Sequence, residues 1–294
     1  MRQETMQSTK KGLLEVHLAV MLFGIVGIFA KTLQLPSIII VWGRVFFSSI
    51  FLFLFLALRR QKIRLKQGKD YAWLFLGGAI LALHWTSFMQ AVQVSTVAVG
   101  TLAFSTFPLF AAFLEPLVFR EKWRLSSVVE ALVMLAGIVC MVPELSLENQ
   151  MTAGVLWGLL SALTYAVLAL INRKYAGLYQ GSLVSFYEQA SAAVLLIPAL
   201  LLWKGSFTAG ELGILAVLGV VFTGGAHSLF ISGLRSVRVR TAGIISGLES
   251  VYGIIAAFLV LKEVPGIREV AGGLIILGVV FYSTLHSDEQ GERN

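Results

Sequence analysis

The sequence is poor in the residues on which soluble enzymes depend. Only 13% of its 294 residues are charged, against roughly 25% in a soluble domain. Its single cysteine, Cys140, excludes disulfides within the chain and metal clusters built from cysteine. It contains no His-Glu-x-x-His motif, no phosphate-binding loop and no Gly-x-Ser-x-Gly turn. We therefore predict that the chain is not an enzyme and needs neither a metal nor a cofactor.

Apolar segments take the place of these features. Hydrophobic residues make up 57% of the chain and are grouped in ten runs, most of them about 20 residues long, which is enough to cross a bilayer core. Lipid offers no partner for free backbone groups, so these runs must be helical. The sequence thus predicts an all-α membrane protein with ten transmembrane helices. Helices 1 to 10 are predicted at Leu13–Lys31, Ser37–Leu58, Tyr71–Ala91, Val97–Phe119, Ser126–Val142, Ala153–Asn172, Leu183–Trp203, Glu211–Ser232, Thr241–Leu261 and Ile267–Leu285.

Lysine and arginine are concentrated on one side of the predicted helices. Eighteen lie on the face that carries both termini, here called the basic face, and four on the opposite, far face; Arg44 alone lies within a helix. By the positive-inside rule the basic face is cytoplasmic. We expect a multi-pass protein of the bacterial cytoplasmic membrane with both termini in the cytoplasm. The net charge of +7 has the same origin, so we expect no nucleic-acid partner.

The two halves of the chain are related by a repeat with an offset of 142 residues. Residues 71–140 align without a gap on residues 213–282, and a basic residue followed by glutamate closes the fourth helix of each half. Five helices per half is an odd number, so the second copy must enter the membrane in the opposite orientation. We predict an inverted repeat of two five-helix units, residues 1–146 and 147–294. Such repeats are typical of carriers that alternate their access.

The ends of the fourth helices carry the most specific pattern. The two segments are FPLFAAFLEPLVFREKWRLSSVVEALVMLAGIV and LESVYGIIAAFLVLKEVPGIREVAGGLIILGVV. Together with Arg44 in VWGRVFFSSI, they resemble the ten-helix, EamA-type branch of the drug/metabolite transporter superfamily over nearly the whole chain. One departure is visible, because Ser250 stands opposite Pro108 where family members often keep a proline.

The resemblance implies a central cavity lined by helices 1, 3, 4, 6, 8 and 9, flanked by helices 2 and 7, with helices 5 and 10 to one side. It also implies a carrier of amino acids, nucleobases, sugars, sugar phosphates or cationic drugs, mostly moving outward in bacteria. The fold does not specify the substrate. We predict a monomeric secondary active transporter in the lipid bilayer that exports small organic metabolites such as amino acids. Protons are the candidate coupling ion.

Three alternatives use the same helices. They are efflux of multiple drugs or cationic compounds, a passive channel, and a membrane sensor. Transport of a labelled solute against its gradient separates a carrier from the last two. The related four-helix multidrug carriers use a glutamate in the middle of helix 1, whereas this chain reads VMLFGIVGIFAK there, which disfavours the same proton and cation exchange.

Ionisable residues within the predicted helices are candidates for the transport site, because burying such a group in a membrane is costly. We hypothesise proton coupling through Glu249 in helix 9 together with His84 in helix 3 and His227 in helix 8. By the repeat offset, His84 is matched by Ala226, one position before His227. The alternative for these groups is a structural bond to a neighbouring helix. For Arg44 a structural role is favoured.

The remaining candidates are small, polar or aromatic. Small residues at four-residue steps allow close helix packing or leave room for a substrate, and aromatic rings suit a cationic or ring-bearing solute. These further candidates are Trp85, Gln90, Thr101, Ser105, Tyr165, Gly243 and Tyr252. We expect structural roles for Glu130 and Glu188, which lie on a peripheral helix or near a helix end.

Overall fold

The structure is a computed structural model that describes the backbone of residues 2–119, 125–142, 144, 146, 148–176, 178–234, 237 and 245–286. These residues form ten helices joined by turns, as the sequence predicts. Helices 1 to 3 span Arg2–Thr32, Ser37–Leu58 and Gly68–Val94; helix 4 spans Val97–Phe104 and Phe107–Phe119; helices 5 and 6 span Leu125–Met141 and Gln150–Ala176; helix 7 spans Gly181–Leu195 and Ile197–Leu202; helix 8 spans Ala209–Gly219, Val220–Gly225 and Ala226–Leu234; helix 9 spans Glu249–Leu261 after helical residues 245–247; helix 10 spans Ile267–His286.

The exterior of the helical bundle is apolar. Seven helices of the described part are long and apolar enough to cross a membrane, and Val128–Met141 and Ile245–Leu261 are shorter apolar helices. Large apolar side chains such as Leu132 and Leu274 remain more than 60% exposed. An exposed apolar surface of this extent requires lipid rather than water around it. The chain is an all-helical membrane protein.

Several helices are interrupted within the membrane. Helix 4 turns at Ser105 and Thr106, just before Pro108, which lacks an N–H and restricts the residue ahead of it. Helix 9 turns at Leu248, the residue that matches Thr106 by the repeat offset. The two halves are therefore interrupted at equivalent positions although helix 9 has no proline there. Helix 8 contains a π-helical turn at Val220–Gly225, which takes one more residue than an α-helical turn.

Glycines bring several helices into backbone contact. Helices 5 and 10 pack on each other at one side of the bundle, where a Cβ on Gly272 would lie 2.4 Å from the Gly137 carbonyl oxygen. Helix 3 packs on helices 6 and 7, and helix 1 packs on helices 8 and 9. Under the repeat, the pair formed by helices 3 and 6 is equivalent to the pair formed by helices 8 and 1. The structure thus joins the halves through two matched interfaces that enclose the centre of the bundle.

A polar contact joins the two halves at the far face. The Thr96 hydroxyl donates to Glu269 over 2.9 Å, and the Val97 backbone N–H donates to Glu263 over 2.8 Å. Lys31 donates to the Ser95 carbonyl oxygen. The turn between helices 3 and 4 is therefore held against the turn between helices 9 and 10, and the Glu263 carboxylate caps the start of helix 4.

The Glu263→Gln variant is expected to lose less stability than wild type as the pH rises. Burial raises the pKa of the Glu263 carboxyl above 4.5, outweighing the Val97 N–H and nearby Lys31, which lower it. A raised pKa means that the folded chain binds this proton more tightly than the unfolded chain, so ionisation reduces stability above about pH 4.5. Glutamine keeps an oxygen for Val97 without the charge.

Thermal unfolding in detergent from pH 4.5 to neutral pH measures this difference. The matched control is Glu148→Gln, an exposed carboxylate on the same face, which should follow wild type. Equal losses of Tm in wild type and Glu263→Gln would contradict the assignment.

Candidate functional site

Ionisable side chains from five helices meet at the centre of the bundle, near the helix interruptions. They are Arg44, His84, Tyr165, His227 and Glu249. Arg44 lies within electrostatic range of Glu249 and of both histidines, and Glu249 within range of Tyr165. The structure therefore brings together five of the candidates that the sequence analysis names.

Arg44 is held firmly at one side of this centre. Its side chain is buried, its guanidinium lies 3.8 Å from the centroid of the Trp85 ring, and its Nε donates to the Thr223 hydroxyl over 3.1 Å. Thr223 lies in the π-helical turn and donates in turn to the Leu218 carbonyl oxygen. A Cβ on Gly219 would lie 2.7 Å from the Arg44 carbonyl oxygen, so glycine permits this approach of helix 8 to helix 2. Arg44 therefore orients Trp85 and contributes a fixed positive charge.

His84 is bonded to helix 6. Its Nδ1 lies 2.9 Å from both the carbonyl oxygen and the hydroxyl of Ser161, and its ring packs against Tyr165 and Phe104 at 5.0 and 5.2 Å. The side chain is 4% exposed. This geometry agrees with the structural alternative for His84, a bond that holds neighbouring helices together.

Aromatic rings surround the space beside these groups. Phe104, Phe107 and Tyr165 form a cluster with ring centroids 4.9 to 5.6 Å apart. On the other side, Phe23 of helix 1 contacts His227 at 5.0 Å. Central side chains that remain partly exposed are Phe23, Phe107, Tyr165, His227 and Glu249. Because they lie inside the bundle, their exposure indicates open space beside them, and we call the region that these side chains line the central pocket.

Hydroxyl groups join helices 4 and 9 beside this pocket. The Ser105 and Ser250 hydroxyls lie 2.6 Å apart, and the Ser250 hydroxyl also donates to the Thr101 carbonyl oxygen over 3.0 Å. Gly24 of helix 1 lies against the same part of helix 9, where its Cβ would be 2.5 Å from the Glu249 carbonyl oxygen. Thr101 and Ser105 therefore fasten the crossing of the interrupted helices, and they are buried.

Three predicted candidates lie apart from the central pocket or outside the described part. Gln90 accepts a hydrogen bond from Ser37 near the far face. The Tyr252 hydroxyl lies 3.1 Å from His17 Nδ1, toward the basic face. Gly243 lies outside the residues that the structure describes.

Sequence reasoning missed three residues at this site. Phe107 was detectable, because the repeat offset places it opposite Glu249. Phe23 lies in a uniformly apolar segment and gave no signal, whereas the contact of Thr223 with Arg44 depends on the π-helical turn. Within the described ranges no group of three or more His, Cys, Asp or Glu side chains is placed to hold a metal ion.

A duplicated bundle of membrane helices with charged side chains at its centre is typical of membrane transporters. The chain belongs to the EamA-like transporter family, which matches it twice, at residues 10–142 and 152–285. It is 23% identical over 265 residues to the uncharacterized transporter YxxF of Bacillus subtilis, covering 87% of this chain and 84% of that protein. It is 26% identical over 251 residues to an S-adenosylmethionine uptake transporter of Rickettsia prowazekii, with 85% and 83% covered.

A solved crystal structure has the same fold. Its TM-score to this chain is 0.65 at 18% identity, and the match covers 95% of this chain and 97% of that one. This likeness concerns the fold alone.

Proposed function

We propose that the chain is a secondary carrier that exports a small zwitterionic metabolite, such as an amino acid, by alternating access. The observation that carries this proposal is the position of Glu249, a partly exposed residue at the centre of the bundle that lies within electrostatic range of Arg44. An ammonium group beside Glu249 and a carboxylate on the Arg44 side match these opposite charges. A solute with no net charge also avoids the cost of bringing a net charge into the membrane.

The architecture supports movement of the two halves against each other. The interrupted helices 4 and 9 cross beside the pocket, and discontinuous helices at the junction of inverted repeats are typical of transporter binding sites. The basic loops support a cytoplasmic location of both termini in a bacterial membrane. On this basis we propose a cycle in which the central pocket opens in turn to the basic face and the far face.

Uptake of a sulfonium-containing amino acid derivative is the second candidate. The Rickettsia relatives are named S-adenosylmethionine uptake transporters. The cluster of Phe104, Phe107 and Tyr165 offers ring faces to an organic cation or a nucleobase. This candidate uses the same pocket and reverses the direction of transport.

A transport screen in vesicles distinguishes these functions. Purified protein is reconstituted and tested with labelled amino acids, S-adenosylmethionine, nucleobases and cationic drugs, with and without a pH gradient. We expect accumulation of a zwitterionic solute against its gradient. Protein-free vesicles are the control. Passive equilibration alone would indicate a channel, binding without flux would indicate a sensor, and selective transport of drugs would overturn the zwitterion proposal.

A further inference from the structure

Glu188 of helix 7 is a buried carboxyl group outside the central pocket. Its side chain is 4% exposed, and it lies about two turns from the start of helix 7 at the basic face. The sequence favours a structural role for this residue. Its surroundings point to a different one.

Helix 3 packs on Glu188 through two glycines. A Cβ on Gly77 would lie 3.0 Å from Glu188 Oε1, and a Cβ on Gly78 would lie 2.5 Å from the Glu188 carbonyl oxygen. The backbone of helix 3 thus packs directly on Glu188, which leaves the carboxyl out of contact with water in this conformation.

The hydrogen bonding of Glu188 is incomplete. The Asn172 side chain of helix 6 lies within interaction range of the carboxyl, yet Glu188 Oε1 and Asn172 Oδ1 are buried and have no partner among the described residues. Gln189 Oε1, on the next residue, is buried and unpartnered as well. Glu188 Oε1 and Asn172 Oδ1 accept hydrogen bonds and cannot donate them, so this pair of side chains lacks a donor hydrogen. A proton on the Glu188 carboxyl supplies that donor and also removes the high cost of a buried, unpaired charge.

Three ionisable groups on the described parts of helices 2, 3 and 8 are engaged elsewhere. Arg44 of helix 2 binds Thr223 and Trp85, His227 of helix 8 bonds to the Thr223 carbonyl oxygen, and Asp70 of helix 3 accepts from Tyr175 and Tyr179 of helix 6 and its following turn. On helix 6, Tyr165 lies within electrostatic range of both Glu188 and Glu249.

We propose that Glu188 is a proton-binding site of the transport cycle, protonated in this conformation and ionised when helices 3, 6 and 7 separate and admit water. The step is a proton transfer alone: carboxylate and proton combine to form the carboxylic acid, and the reverse step releases the proton to water at the basic face. The coupling rests on the proposed carrier function, in which proton entry drives solute export.

Infrared spectroscopy tests the protonation state without a substrate. The full chain in lipid vesicles at neutral pH is compared with Glu188→Gln, and wild type should show an acid carbonyl band that the variant lacks. Asn172→Leu replaces the polar amide beside the carboxyl with an apolar side chain and should shift that band to higher frequency. The matched control, Glu130→Gln on peripheral helix 5, should keep the band unchanged. If Glu188→Gln instead loses a carboxylate band, the proposal is wrong.

Transport measurements then test the coupling separately. With the solute found in the transport screen, Glu188→Gln should lose the component driven by a pH gradient, and Glu130→Gln should retain it. If wild type shows the acid carbonyl band but transports no solute, the proposed carrier function is wrong, whereas the protonation of Glu188 is still supported. If Glu188→Gln retains full transport driven by the pH gradient, the coupling role of Glu188 is refuted while the carrier function stands.

Discussion

Glu249→Gln is expected to lower the affinity for an amine-bearing solute by about 30-fold or more and to abolish its uphill transport. Removing one partner of a buried charge interaction typically costs about 2 to 5 kcal/mol, and 2 kcal/mol corresponds to about 30-fold in Kd. Glutamine preserves the shape of the side chain, so the loss reports the charge. Binding and vesicle transport of the solute measure the effect, and an analogue without the amino group should bind wild type and variant alike.

A double variant separates loss of binding from loss of folding. Glu249→Gln leaves Arg44 without the opposing charge in its range, which should reduce thermal stability. Adding Arg44→Gln removes the unbalanced cation and should restore part of the Tm without restoring transport. Normal affinity and uphill transport in Glu249→Gln would exclude this carboxyl from the site.

Gly24→Val is expected to reduce both stability and transport. The Cβ of residue 24 would lie 2.5 Å from the Glu249 carbonyl oxygen and 2.9 Å from the Gly253 backbone nitrogen. Both atoms belong to the backbone of helix 9, so no side-chain rotation relieves the overlap and helices 1 and 9 must separate. Overpacking of this kind costs about 3 kcal/mol at the upper end of its usual range.

Gly213→Ala provides the matched control for Gly24→Val. A Cβ at Gly213, in helix 8, meets no atom within 4 Å among the described residues. This variant should therefore unfold and transport like wild type, and thermal unfolding and vesicle transport compare the two. A Gly24→Val protein with the Tm of wild type would contradict the close contact between helices 1 and 9.

The sequence predicts the helices well because lipid imposes a simple requirement on length and polarity. Helix 2 begins at Ser37 and ends at Leu58, as predicted. Helices 3 and 6 continue beyond the predicted ends, to Gly68–Val94 and Gln150–Ala176, because charged and polar residues extend a helix past the apolar core. The interruption of helix 7 before Pro198 was not predicted, since a proline in a membrane helix does not always break it.

The neighbours of the site residues were harder to predict than the helices that carry these residues. A membrane helix is apolar both toward lipid and toward the interior, so hydrophobic periodicity does not identify its inward face. The stacking of Arg44 on Trp85 and the burial of Glu188 under Gly77 and Gly78 depend on helix rotation. Gln90, by contrast, was chosen for the polarity of its stretch of helix 3, but it bonds to Ser37 near the far face.

The π-helical turn of helix 8 resolves a mismatch between the repeats. By the offset of 142 residues, His84 falls on Ala226, and His227 is one position late. The turn at Val220–Gly225 lies immediately before His227 and accommodates one additional residue, while Leu248 again matches Thr106 at the original offset. The extra residue rotates the following part of helix 8 by one position. We infer that His84 and His227 are counterparts under the repeat, and that a local change of helical winding absorbs the one-residue shift between them.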